Sequence, residues 1–208
     1  MSFLKNSTSF TRFKINDEVP SALWQDIPER LKRFAFKDID DLPEQRGWGW
    51  TSFDDMLDVE WRNHAPQKGA EYITFSLRLE TRRVPPAVLK KHFGLALKKE
   101  EEQVWAQGKS YVSRERKKEI KELVLFQLNK RFLPIPAEFQ VIWNTARNEI
   151  WLASTQGKVL ELFQEFFTQS FELYLEQLTP YTLAGEFLSE AEMEKLENLE
   201  AVSFYKAD

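Results

Sequence analysis

From Ser113 to Leu133 the chain runs without a glycine or a proline, and the segment is rich in strong helix formers. Ser113 is a suitable N-cap, its hydroxyl able to accept from the free N–H groups of the first turn. Pro134 disfavours helical geometry in the residue before it. One helix over 113–132 is the expectation. Ile120, Leu123, Val124, Gln127 and Arg131 share one of its faces at three- and four-residue spacing. Beside that face runs a stripe that begins basic and turns apolar: Arg114, Lys117, Lys118, Lys121, Leu125, Leu128 and Phe132. The first half therefore reads as solvated and the second as packed. Arg114, Arg116, Lys117 and Lys118 also occupy the end where the helix dipole favours acidic residues, and only Glu115 and Glu119 offset them. Local rules tend to be broken at functional sites, although a charge run is more often a plain solvated face.

The net charge of −4 hides an uneven distribution. Residues 1–77 hold 10 basic and 13 acidic side chains, residues 78–131 hold 15 and 7, and residues 132–208 hold 4 and 13. A basic middle thus lies between acidic flanks, and local potential governs binding more than the total does. There are no cysteines, which excludes disulfides and thiolate metal sites and fits a reducing cytosol. No apolar run approaches the ~20 residues of a membrane span, and the opening MSFLKNSTSFTRF has no apolar signal-peptide core.

Alternation predicts strands over 8–15, 71–80, 138–145 and 149–154, the second with one buried face, and Leu57–Trp61 as a further short strand. Pro20 and Ser21 open a helix to Ala35 with Leu23, Trp24, Ile27, Leu31 and Phe34 on its apolar face; Pro28 is a candidate kink. Gly47-Trp48-Gly49-Trp50 either fills a core edge or offers rings for base stacking. His64–Gly69 reads as a turn. Val84-Pro85-Pro86 starts a second long helix, Ala87–Trp105, with Leu89, Phe93, Ala96 and Leu97 apolar and Lys90, Lys91 and Lys98 elsewhere. Gly108 ends it, so that 84–132 forms a basic helical hairpin. Thr155 is expected to cap a helix to about Phe171, and Ser189-Glu190-Ala191-Glu192 to open a last acidic one. The fold class is α+β, an antiparallel sheet packed by helices, with 1–208 as one unit from which the hairpin projects.

Recognisable catalytic chemistry is missing. His64 and His92 fall in different elements, and no GxSxG, Walker A, GxGxxG or HExxH pattern occurs. Asp54, Asp55, Asp58 and Glu60 cluster in sequence, as a metal-dependent nuclease would need, but such runs are usually surface. No cofactor and no small-molecule substrate is implied.

The motifs together resemble the bacterial recombination-associated RdgC family. Phe3-Leu4-Lys5-Asn6 and Phe13 are similar to its W-F-K-N…Y-R strand, and Gly47-Trp48 to its G-W motif. Val84-Pro85-Pro86-Ala87-Val88-Leu89 resembles its L-P-x-x-V-I segment. Ser113–Phe132 resembles its basic helix ending in P-R-A-F, with Asn129 standing in place of the proline. Val141-Ile142-Trp143-Asn144 and Glu149-Ile150-Trp151-Leu152 resemble its W-I-D hairpin, and Gly185–Lys195 its L-L-D-E-A-E-L-K helix. The likeness runs along nearly the whole chain, though each motif is loose. It implies an α+β fold, DNA binding without sequence preference, a ring-shaped homodimer around the duplex, and restraint of RecA-driven recombination. Some members carry an exonuclease label that these residues do not support. Members continue for about another domain's worth of chain beyond the region matching Lys195–Asp208, which leaves ring closure open.

The sequence reading is thus of a non-enzymatic, cytoplasmic, nucleoid-associated protein that binds double-stranded DNA. Arg82, Arg83, Lys90, Lys91, Lys98, Lys99, Arg114, Arg116, Lys117, Lys118 and Lys121 are the expected phosphate contacts, and Phe132 contributes to a homodimer contact. The alternative is a protein–protein module whose basic hairpin docks an acidic partner or the acidic C-terminal half of a second copy; an exonuclease is the third reading.

Overall fold

The computed structural model describes Phe3 and residues 7–62, 64–106, 108 and 111–199; the Leu4-Lys5-Asn6 motif and the end of the chain lie outside these. The α+β expectation holds. The strands are β1 (Thr11–Ile15), β2 (Arg46–Thr51), β3 (Gln67–Lys68), β4 (Tyr72–Thr81), β5 (Ile135–Asn144), β6 (Glu149–Leu152) and β7 (Leu175–Gln177). They form one antiparallel sheet in the order β2-β4-β5-β6-β1-β7, with β3 also paired to β4. The helices are α1 (Ser21–Arg33), α2 (Pro86–Ala106), α3 (Arg114–Asn129), α4 (Gly157–Phe171), α5 (Pro180–Ala184) and α6 (Glu190–Glu197).

Register explains the main core. Trp50, Leu77 and Phe139 lie opposite one another across β2, β4 and β5, as do Trp143, Ile150 and Phe13 across β5, β6 and β1. Directly opposed residues share a sheet face, and α1 and α4 cover this one. α4 supplies Val159, Phe163, Phe166, Phe167 and Phe171, the helical stripe visible in the sequence. Trp50 is fully buried at the centre: its ring lies 4.6 Å from Phe166 and 5.0 Å from Phe75 between centroids, and its Nε1 donates to Ser170 Oγ at 2.8 Å.

The opposite face of β4 departs from expectation, because it is buried too. Thr74, Ser76 and Glu80 on β4, Arg82 just past its end, and Gln140 and Asn144 on β5 are all buried. Such a face must satisfy its polar groups internally. Ser76 Oγ donates to Glu138 Oε1 at 2.8 Å, Arg78 Nε to Glu80 Oε1 at 3.0 Å, and Gln140 Nε2 to the Phe53 carbonyl at 3.1 Å. The Arg78 guanidinium lies 4.2 Å from the centre of the Phe36 ring, a cation–π contact.

Several expected elements shift. Gly47–Trp50 is a strand. Trp50 fills the core, and Trp48 sits 43% exposed on the outer strand. Gly49 is required there, because a Cβ would come within 2.3 Å of Phe36 Cα, beside the parallel bridge of Ala35 to Trp50. Leu57–Trp61 is not a strand. Asp55 and Asp58 carboxylates accept from the N–H groups of Leu57 and Glu60 two residues on, at 2.9 and 3.1 Å. Trp61 has φ +51°, and such aspartate-capped turns outcompete the sheet ladder. The expected 64–69 turn contains β3. Thr155 does not cap α4, whose N-cap is Gln156 without a side-chain bond. At the other end Glu172 takes a left-handed cap, φ +61°. The capping box expected at Ser189 and Glu192 is present.

Candidate nucleic-acid interface

α2 and α3 pack on one another around a small core of their own. Val112, Ile120, Val124 and Leu128 are buried, with Val88, Leu89, Phe93, Ala96, Leu97, Val104 and Phe132 packed against them. α2 buries no residue fully, so its position depends on α3. Leu123, expected on the buried face, is exposed. Ser113 caps α3 as its sequence suggested, its Oγ accepting from the Arg116 N–H at 3.2 Å. Gly108 has φ +77° after the last turn of α2, the left-handed conformation that glycine adopts without strain.

Ten of the eleven candidate cations fall into three groups, and Lys118 stands between the last two. Arg82 is the correction: it is buried. Its Nη1 donates to the carbonyls of Leu42 and Asn129, and its Nη2 to those of Ile39 and Asp40. Its guanidinium is committed within the fold and does not face phosphate. Alternation along β4 does place Arg82 on the polar face, but the sequence gives no sign that the 39–42 segment and the end of α3 close over that face.

Arg116 forms the second group. It is exposed, yet Nε and Nη2 donate to the Glu100 carboxylate at 2.7 and 3.2 Å and Nη1 to Glu119 at 2.9 Å. These bonds hold the Arg116 guanidinium well above its ordinary pKa and the Glu100 carboxyl below the usual glutamate value. The α2–α3 tie through Glu100 is accordingly complete above the ordinary glutamate range and is lost as pH falls through the depressed value. Because Arg116 is already neutralised, Arg116→Ala is expected to flatten the salt dependence of nucleic-acid binding less than Lys121→Ala does, as measured by fluorescence anisotropy across a salt series.

The third group is exposed and has no acidic partner among the described residues: Arg114, Lys117 and Lys121 on α3, Lys90, Lys91, Lys98 and Lys99 on α2, and Arg83. Lys118 reaches Glu122 only at 3.9 Å. Arg114, Lys117 and Lys121 stand at i, i+3 and i+7, one stripe rising about 10 Å along the helix. The α2 lysines do not all join it. Lys99 lines a groove of about 240 Å³ with His92, Leu95, Leu128 and Arg131, and none of Arg114, Lys117 and Lys121 borders it.

Among the described residues no three histidine or carboxylate side chains are placed to hold a metal ion. Asp54 pairs with Lys68 at 2.7 Å, and Asp55 and Asp58 are spent on turns. Phe132 is half-buried against the α2–α3 core, while its neighbours Leu133 and Ile135 are exposed. Trp105 and Tyr111, on either side of Gly108, are exposed where the apolar spacing of the two helices has ended. No helix among the described residues is long and apolar enough to cross a membrane. Comparison with protein-family models finds no matching family, and comparison with curated proteins finds no match.

Proposed function

We propose that the chain binds double-stranded DNA without sequence preference, through phosphate contacts made by the α2–α3 pair acting as a projecting basic hairpin. The observation that carries this reading is the stripe of Arg114, Lys117 and Lys121, exposed and without acidic partners among the described residues. Lysine acts on phosphate as a point charge and lacks the bidentate fork that reads guanine. Duplex DNA presents a charge about every 1.7 Å of axis, so a 10 Å stripe meets several. Lys90, Lys91, Lys98, Lys99, Arg83 and Lys118 add to the field around the stripe. The resemblance to the RdgC family supports the same reading and extends it to a nucleoid-associated role in RecA-dependent recombination. At low salt the chain should bind two random duplexes of different base composition with the same affinity. A strong preference between them, or no binding to either, would contradict the proposal.

A homodimer belongs to the same reading. With Phe132 already packed inside its own chain, the contact rests on exposed Leu133 and Ile135. Light scattering is expected to give twice the chain mass; a monomer at high concentration removes the dimer. The alternative of an acidic protein partner draws on the exposed glutamates of α6, Glu190, Glu192, Glu194 and Glu197, which a second copy could present to the basic stripe. That contact predicts self-association that weakens with salt and no duplex binding.

A further inference from the structure

We infer that the groove between α2 and α3 receives Phe187 and the start of α6 from a second copy of this chain, an inference that rests on the homodimer reading above and gives that dimer a second contact. The floor of the groove is the small α2–α3 core, reached at Val124 and Leu128, and Leu95 stands 53% exposed on its rim. Its ionisable lining is His92, Lys99 and Arg131, all bases, with no carboxylate among them. The volume of about 240 Å³ falls below the roughly 300 to 1,000 Å³ of small-molecule pockets and suits one large side chain. Pockets of this kind take the aromatic anchors of protein interfaces.

The chain itself carries the complement of this groove. Phe187 is 82% exposed, more than any other large apolar side chain described, and exposed Leu188 follows it. Glu190 and Glu194 of α6 are exposed, one turn apart, and have no basic partner among the described residues. The capping box of Ser189 and Glu192 fixes the start of α6 just after Phe187, so the anchor is presented by ordered backbone. Within one chain, anchor and groove lie at opposite ends of the sheet. Lys14 of β1 holds Glu186; Lys14 pairs with Glu149, and Glu149 with Asn144 at the far end of β5. Arg131 of the groove lies four residues before Ile135, where β5 begins. The ten residues of β5 span roughly 30 Å. Two copies related by a two-fold axis bring each anchor to the other's groove, a closed exchange. The apolar anchor supplies most of the affinity, and the acidic and basic groups around it select the partner and the register. None of Arg114, Lys117 and Lys121 borders the groove, so the contact leaves the basic stripe open to DNA.

The test uses the full chain without DNA and measures the dissociation constant of the dimer by analytical ultracentrifugation. Phe187→Ala is expected to weaken the dimer about tenfold or more, and Phe187→Leu, which keeps an apolar anchor, to weaken it less. Lys99→Glu/Arg131→Glu and Glu190→Lys/Glu194→Lys should each weaken it comparably. An equimolar mixture of these two should recover the parent's affinity as a heterodimer, because the reversed groove then meets the reversed anchor and the parent charges meet in the second contact. All the changed side chains are exposed, so the variants keep the fold, as circular dichroism checks. If the parent dimerises and Phe187→Ala dimerises as tightly, the groove contact is overturned while the dimer stands. Charge-reversed variants that fail to recover affinity on mixing would overturn the pairing of the groove with α6. A parent that is monomeric at high concentration overturns the homodimer reading and this inference with it, and leaves the phosphate reading in place.

Discussion

Trp50→Ala is expected to lower the free energy of unfolding by about 3 to 5 kcal/mol. The indole is fully buried and touches Phe75, Phe163, Phe166 and Phe171, which come from β4 and α4. Removing it opens a cavity where strand and helix meet, and rings fixed by several neighbours collapse poorly into such a space. The loss is a large fraction of the roughly 5 to 15 kcal/mol typical of a domain. Trp50→Phe should cost far less. It keeps a ring in place and forfeits one hydrogen bond, worth about 1 kcal/mol, while Ser170 Oγ still donates to the Phe166 carbonyl at 2.7 Å. Urea midpoints with unchanged slopes would report both effects; a Trp50→Ala midpoint close to the parent's would show that the core is not centred there.

The second large effect is at Arg82, where alanine should cost about 3 kcal/mol or more. Four main-chain carbonyls lose a charge-assisted donor together. That of Ile39 keeps the Leu42 N–H at 3.0 Å, and those of Asp40 and Leu42 can turn to water. The buried Asn129 carbonyl is left unpaired at a cost of about 1 to 3 kcal/mol, with the lost charge-assisted bonds adding to it. One of the four is the carbonyl of Asn129, the last residue of α3, where helical carbonyls lack internal partners and the dipole is negative. Arg82 thereby ties the α2–α3 pair to the 39–42 segment. Lysine cannot reach all four carbonyls with one ammonium group, so Arg82→Lys should fall between the parent and alanine. The folded Arg82→Ala protein should keep the parent's salt dependence of DNA binding, because this guanidinium meets carbonyls and not phosphate. A flatter dependence in that variant would return Arg82 to the interface.

Where local pattern and final environment agree, the fold is legible in the sequence. Ile73, Phe75 and Leu77 alternate into the core, and Val159, Phe163, Phe166, Phe167 and Phe171 follow the helical period. The polar alternation on the other side of β4 reads as a solvated face, yet Ser76, Glu80 and Arg82 are buried beneath distant segments. That closure depends on contacts such as Arg82 to Ile39 and Gln140 to Phe53, separated too widely for any local window to reveal. The Gly-Trp-Gly-Trp strand escapes detection because glycine weakens strand propensity, and the reason for Gly49 is the backbone of Phe36 against it. At the candidate site the basic character of 84–132 is plain from composition. Which cations are free is not, since Arg116 finds Glu100 sixteen residues away only once α2 and α3 pack together.

We propose that α3 meets nucleic acid through phosphate contacts of Arg114, Lys117 and Lys121. The most direct measurement is the slope of log affinity against log salt on random duplex, for the parent and for Arg114→Ala/Lys117→Ala/Lys121→Ala. Each true contact contributes about 0.9 to that slope, so the triple variant is predicted to lose nearly three units, equally on every sequence tried. An unchanged slope in a folded triple variant, or a parent that fails to bind duplex at low salt, would contradict the account.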